Sequence, residues 1–203
     1  MLVGQVLWVV MSYVIGSIPF GLVIAKTFCH IDPREAGSKN SGATNVSRLC
    51  GFGWGLFTLV CDVAKGALPV FGALWLDPSP LFVSFTAFAC VIGHVFSCFM
   101  RFRGGKAVAT TIGVFIPLAF WSLLGSCALC MLVIWRTGFV SLGSISLVLS
   151  LPVTVAIAGL WQWTPLALCL CVLVIVKHRE NISRLRAGTE KPWLKSKANK
   201  NEM

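Results

Sequence analysis

The sequence predicts an all-α membrane protein, a polytopic bundle of about seven transmembrane helices whose glycine-rich loops face the cytoplasm. Three observations predict it. Apolar residues make up 57% of the chain and charged ones only 12%, too little polar surface to cover a water-soluble globule. Uncharged runs near or above the roughly 20 residues of a spanning helix recur along it. Of the 17 basic residues, against 7 acidic ones, all but Lys65 fall between and after those runs. That is the positive-inside pattern of a membrane protein, so the net charge does not argue for nucleic acid as a partner.

Residues 1–25 carry neither a charge nor a basic n-region, so they read as a first span that stays in place. The next run, 51–76, is interrupted only by Asp62 and Lys65, spaced to form an ion pair on one helix face inside the bundle. A third span, about 81–99, follows Asp77-Pro78-Ser79-Pro80. The uncharged stretch 137–176 divides at Trp161-Gln162-Trp163-Thr164-Pro165, where the aromatics suit an interface and the proline a helix start.

Three basic segments, 26–48, 101–106 and the tail from Lys177, should share the cytoplasmic face. Parity then requires residues 107–135 to cross twice, with a break near Pro117 or Trp121-Ser122. Two helices of about 14 residues reach only about 21 Å, against a hydrocarbon core of about 30 Å. The alternative is one long tilted helix, six spans and a tail on the far side. Seven spans are the expectation, with the N-terminus outside and the C-terminus cytoplasmic, in a single domain of residues 1–190 followed by a basic cytoplasmic tail, 191–203.

The nine cysteines fall mostly inside apolar runs, where they act as small hydrophobes and imply no disulfide framework. Cys127 and Cys130 form a C-x-x-C spacing in mid-run with no partner pair, so they read as core. No carboxylate cluster or His/Cys set suggests a metal, and no cofactor is expected.

Chemistry concentrates in the polar segments. GSKNSGATNVSR, residues 37–48, is an anion cradle by composition: glycines let the backbone approach an oxyanion, amides and hydroxyls surround it, and Arg48 can bind phosphate bidentately. Gly104-Gly105-Lys106 enters the next helix with the same logic, Lys106 serving as a point charge. His94 lies eight residues before Phe102 and reads more readily as a packing residue of its span. If the segment from Lys177 continues the last helix, His178 and Asn181 share a face with Leu185 and point together into a site. Three such segments on one membrane face suggest a site for phosphorylated substrates at the lipid boundary.

The ordered set GSIPFG (16–21), GSKNSGATNVSR (37–48), GH…FRFRGGKAVAT (93–110), SLGSI (141–145) and KHRENISRLRAGTE (177–190) resembles the bacterial acyl-phosphate:glycerol-3-phosphate acyltransferases. The resemblance implies an inner-membrane enzyme acting on acyl phosphate and glycerol 3-phosphate among membrane lipids. It would yield 1-acylglycerol 3-phosphate and phosphate, the first acylation of phospholipid biosynthesis. It makes Ser38, Arg48, Lys106, His178 and Asn181 the essential residues. Gly104 and Gly105 are implied as phosphate-binding, Ser144 as lying in a segment that approaches the site, and Glu190 as structural; in the first cradle, Asn40, Thr44 and Asn45 are expected to bind substrate phosphate by their amides and hydroxyl. This chain departs from the family's pattern at Lys39, where many members have glycine. It also has Ser97 for proline, Arg103 for lysine and Ala107 for a third glycine. Two other readings of the residues remain, a carrier of phosphorylated or carboxylated metabolites and a lipid-binding scaffold.

Overall fold

The structure, a computed structural model, describes residues 2–193; residues 194–203, most of the expected basic tail, lie outside the described residues. Among the described residues the regular structure is entirely helical. Helix α1, Leu2–Ser17, and helix α2, Phe20–Cys29, are separated at Ile18-Pro19. Pro19 has no N–H and disfavours helical backbone at Ile18, so the first hydrophobic stretch is a broken helix and not the uninterrupted one its hydropathy predicts.

Short helix α3, Ala43–Cys50, precedes α4, Phe52–Leu76; the chain turns between them at Gly51, whose φ of 93° suits glycine. Helix α5, Pro80–Val95, begins on the last proline of the connecting segment and is followed by a turn, Cys98–Met100. Helices α6, Val108–Phe115, and α7, Phe120–Thr137, flank the break at Pro117. Then come α8, Val140–Ile157, the aromatic turn Trp161–Trp163, α9, Thr164–Lys177, and α10, Arg179–Arg186. The last two meet at an angle of 58°. The tail segment therefore turns off the span at His178 and does not continue it.

Among the described residues five helical stretches are long and apolar enough to cross a membrane, or six if the bent α9–α10 pair counts as one. The pair α6–α7 breaks where expected but divides unevenly, into 8 and 18 residues. Eight residues rise only about 12 Å. A helix so short persists because it packs on protein: Val114 and Phe115 are fully buried. A Cβ on Gly113 would collide with the Val63 carbonyl of α4, so the two backbones touch. Beyond α6, Leu118 and Ala119 join a core containing Phe82 at the start of α5 and Trp163 before α9. The outward surface is apolar: Trp75 is 87% and Ile157 81% exposed, as expected of faces that meet lipid.

One pairing was not foreseen from the cysteine spacing. Cys29, ending α2, and Cys50, ending α3, form a disulfide with Cα atoms 5.9 Å apart, closing the loop that carries the first polar motif.

Candidate active site

The first polar motif is a loop built around one amide. Asn45 is 1% exposed; its Oδ1 accepts from the Ser38 N–H at 2.8 Å, and its Nδ2 lies within 3.1 Å of the carbonyl oxygens of Pro33, Ala36 and Asn40. Asn40 Oδ1 accepts from the Gly42 N–H at 2.8 Å. Both amides thus brace the loop from within, while the Ser38 side chain is exposed and Thr44 stands half-buried in the first turn of α3. At the loop's start Arg34 and Lys26 pair with Asp32 and hold its carboxyl well below the usual carboxylate range, Arg34 contributing most. Arg48, on the exposed side of α3, donates from Nη2 to the Lys191 carbonyl at 3.1 Å.

The second motif rests on the end of α5. The Gly104 N–H donates to the Val95 carbonyl at 3.0 Å and the Gly105 N–H to the His94 carbonyl at 3.1 Å. Neither glycine can carry a side chain without displacement: a Cβ on Gly104 would strike the His94 carbonyl and one on Gly105 the His94 ring. Ala107, where the chain departs from the family's third glycine, has φ 62°, and Lys39, the other such departure, has φ 55°. Both are left-handed backbone, which a Cβ makes unfavourable by about 1–2 kcal/mol. Ser97, in place of proline, donates from its hydroxyl to the Ser17 carbonyl at 2.5 Å, tying this turn to the end of α1.

The third motif closes on the second. Lys106 Nζ donates to Asn181 Oδ1 at 2.5 Å, Asn181 Nδ2 donates to Glu190 Oε1 at 2.6 Å, and Arg184 Nε donates to Glu190 Oε2 at 2.7 Å. Burial works against the Glu190 carboxylate, but hydrogen bonds from Arg184, Ser141 and Asn181 outweigh it and keep its pKa low. Burial also lowers the pKa of Lys106, Arg184 and Arg48 adding to the effect and Glu190 opposing it. His178, 2% exposed just past α9, donates from Nδ1 to the Val174 carbonyl at 2.8 Å. Its Nε2 is then the bare nitrogen, and burial pushes the imidazole pKa down to about 4. Ser144 is buried on α8, one turn after Ser141.

The structure therefore joins Arg48, Lys106, Asn181, Glu190 and Ser141 across three polar segments, and it sets Asp62 and Lys65 apart, inside the bundle. Arg184 was not singled out from sequence. Its signal lay in its spacing, three residues after Asn181 on the same short helix. Among the described residues no three His, Cys, Asp or Glu side chains gather as a metal set.

A family model described as glycerol-3-phosphate acyltransferase matches residues 6–188, a stretch that includes every residue of this cluster except Glu190 and Lys191. The chain belongs to the glycerol-3-phosphate acyltransferase family. A glycerol-3-phosphate acyltransferase of Desulfovibrio desulfuricans is 67% identical over 193 residues, 95% of this chain and 86% of the relative. A solved structure described as the glycerol 3-phosphate form of an integral membrane glycerol 3-phosphate acyltransferase superposes with a TM-score of 0.89 at 35% identity, covering 93% of this chain and 95% of that one. A second, described as the lysophosphatidic acid form, gives a TM-score of 0.87 at 34% identity, with the same 93% and 95% coverage. This acyltransferase is an integral membrane protein of apolar helices, and its family places it in phospholipid biosynthesis.

Proposed function

We propose that the chain transfers a fatty acyl group from acyl phosphate to glycerol 3-phosphate, directly and without an acyl-enzyme. The observation that carries this reading is the chain of hydrogen bonds from Lys106 through Asn181 to Glu190, which holds an ammonium beside a glycine loop and close to Arg48. Two phosphorylated substrates need two cations, and the site offers Lys106 and Arg48. The glycerol hydroxyl attacks the acyl carbonyl, the new ester C–O bond forms, and the bond from the acyl carbon to the phosphate oxygen breaks. The hydroxyl proton goes to the departing phosphate. A mixed anhydride already carries its leaving group, so positioning and charge neutralisation supply the rate.

Ser38 and the loop N–H groups orient phosphate or hydroxyl. Asn40 and Asn45 act by holding the loop that presents them, Thr44 lies beside it, and Ser144 stands on the helix that approaches Glu190. His178, neutral with a bare Nε2, orients the glycerol hydroxyl and is not an indispensable base. The acyl tail lies between helices, in an apolar groove open sideways to lipid. The relatives described in glycerol 3-phosphate and lysophosphatidic acid forms support this substrate and product.

The protein crosses the bacterial inner membrane seven times in this reading, α6 with its following turn making the fourth crossing, the N-terminus outside and the site cytoplasmic. In support, Lys106 before α6 meets Asn181, whereas Leu118 and Ala119 after it join Phe82 and Trp163. The function is tested by offering purified protein acyl phosphate or an acyl thioester with glycerol 3-phosphate. Acylation from acyl phosphate alone is expected; acylation from the thioester alone refutes the donor.

A further inference from the structure

None of the chemistry above uses the polar side chains buried behind the glycine loop. Asp62 and Lys65 on α4 are 2% and 4% exposed, and His94 on α5 is 8% exposed. Lys65 Nζ stands 2.8 Å from Asp62 Oδ1 and donates to the Ile18 carbonyl, at the α1–α2 break, at 2.8 Å. His94 Nδ1 is 3.1 Å from Thr110 Oγ1 on α6 and 3.7 Å from Asp62 Oδ1. Three elements therefore fix the imidazole: its own helix, the ion pair on α4, and the first turns of α6.

Burying an ion pair and a histidine inside a lipid-embedded bundle is costly, and well-packed apolar residues would serve stability as well or better. What the polar set does in addition is visible at the far edge of the ring. His94 Nε2 occupies the space into which a Gly105 side chain would project. The same residue's carbonyl accepts from the Gly105 N–H at 3.1 Å and bars a side chain at Gly104. Both glycines thus sit directly on His94, and Lys106 follows them. A cavity of about 10 Å³ is lined by Ser41 of the first motif, Gly105, His94, Asp62 and Lys65, so both anion loops border the same buried cluster.

We propose that His94 is a positioning residue for the glycine loop: held by Thr110 and the Asp62–Lys65 pair, its ring sets the height at which Gly104, Gly105 and Lys106 meet substrate phosphate. The inference rests on the proposed use of that loop for phosphate, and it gives the intramembrane ion pair a role in binding.

The contact between ring and loop can be tested by epistasis, since substitutions that disturb one contact do not multiply. Binding of glycerol 3-phosphate and of inorganic phosphate is measured by calorimetry, alongside KM and kcat, for His94→Ala, Gly105→Ala and the double variant. Each single change should weaken phosphate binding about tenfold, roughly 1.4 kcal/mol. KM should rise more than kcat falls. The double variant should bind within about twofold of the weaker single one, because removing the ring makes room for the added methyl. His94→Gln, which keeps a polar group of similar reach, should recover much of the loss. Multiplication to about a hundredfold in the double variant overturns the proposal, as does wild-type phosphate binding by His94→Ala. If His94→Ala does not fold, the cycle of His94→Ser with Gly105→Ala, which also removes the ring, carries the same test, with the same two outcomes. Failure of the wild type to use acyl phosphate would refute the donor instead, and the binding cycle would still be read.

Discussion

Lys106 donates from its ammonium to the amide oxygen of Asn181 at 2.5 Å, although the two residues are 75 positions apart. Through this contact the glycine loop before α6 and the short helix after the last span become one unit, and Glu190 completes it from beyond α10. If the two residues act together, Lys106→Ala and Asn181→Ala should each raise the KM for a phosphorylated substrate tenfold or more, about 1.4 kcal/mol for a lost charge-assisted contact. Their double variant should fall short of the product of the two, with a coupling of about 1 kcal/mol. Steady-state kinetics on the four proteins decides it, and full additivity would separate the two residues functionally.

The two departures from family glycines both fall on left-handed backbone, Lys39 at φ 55° and Ala107 at φ 62°. Ala107→Gly and Lys39→Gly should therefore stabilise the folded state, each by about 0.5–1 kcal/mol once the larger unfolded-state entropy of glycine is subtracted. Melting temperatures in detergent are the readout. A lower melting temperature for both would mean that neither position strains the chain.

His178 is buried neutral, its pKa pushed from 6.5 down to about 4. The unfolded chain takes up a proton near 6.5 that the folded one refuses until about 4. Stability is thus intact above pH 6.5, falls as the pH drops from 6.5 to 4, and loses roughly 3 kcal/mol in all before levelling off. His178→Asn should remove that part of the acid sensitivity. Equal loss of melting temperature between pH 7.5 and pH 5 in both proteins would show that His178 is protonated normally.

For the topology, single cysteines at Ser38, Arg103 and Thr189, placed in a background lacking the native cysteines, should react with a thiol reagent from the cytoplasm. One at Ser79 should react from outside alone, because the basic segments govern orientation. Labelling of position 189 from outside would remove the seventh crossing.

Much of this was legible in the sequence because hydropathy and charge are local. The division of 137–176 at the Trp-Gln-Trp-Thr-Pro segment became α8, the aromatic turn and α9, and of the two breaks offered, Pro117 and Trp121-Ser122, the chain breaks at Pro117. The break at Ile18-Pro19 carried the same signal but was hidden inside an uncharged run, where hydropathy outweighs backbone sterics. The candidate site was legible as three polar segments, two glycine-rich with cations and one with His178 and Asn181. How they divide the work was not, since it depends on contacts across the fold. Asn45 spends its amide inside its own loop, and Glu190 is held by Arg184, which lies in the tail motif with nothing local to set it apart from its neighbouring cations. His94 reads as packing until Gly105 is found against its ring. The Cys29–Cys50 pair joins two helix ends that become neighbours only when the loop between them folds.

The account turns on acyl transfer from an acyl phosphate in a single ternary complex. The measurement that tests it most directly uses acyl phosphate labelled separately in its acyl carbon and its phosphorus, given to purified protein with and without glycerol 3-phosphate. The account predicts acyl label in 1-acylglycerol 3-phosphate and an equal amount of inorganic phosphate, only when glycerol 3-phosphate is present, with no acyl label on the denatured protein. Release of phosphate without acceptor, together with acyl label trapped on Ser38, would contradict direct transfer. The absence of any labelled lipid would contradict the donor.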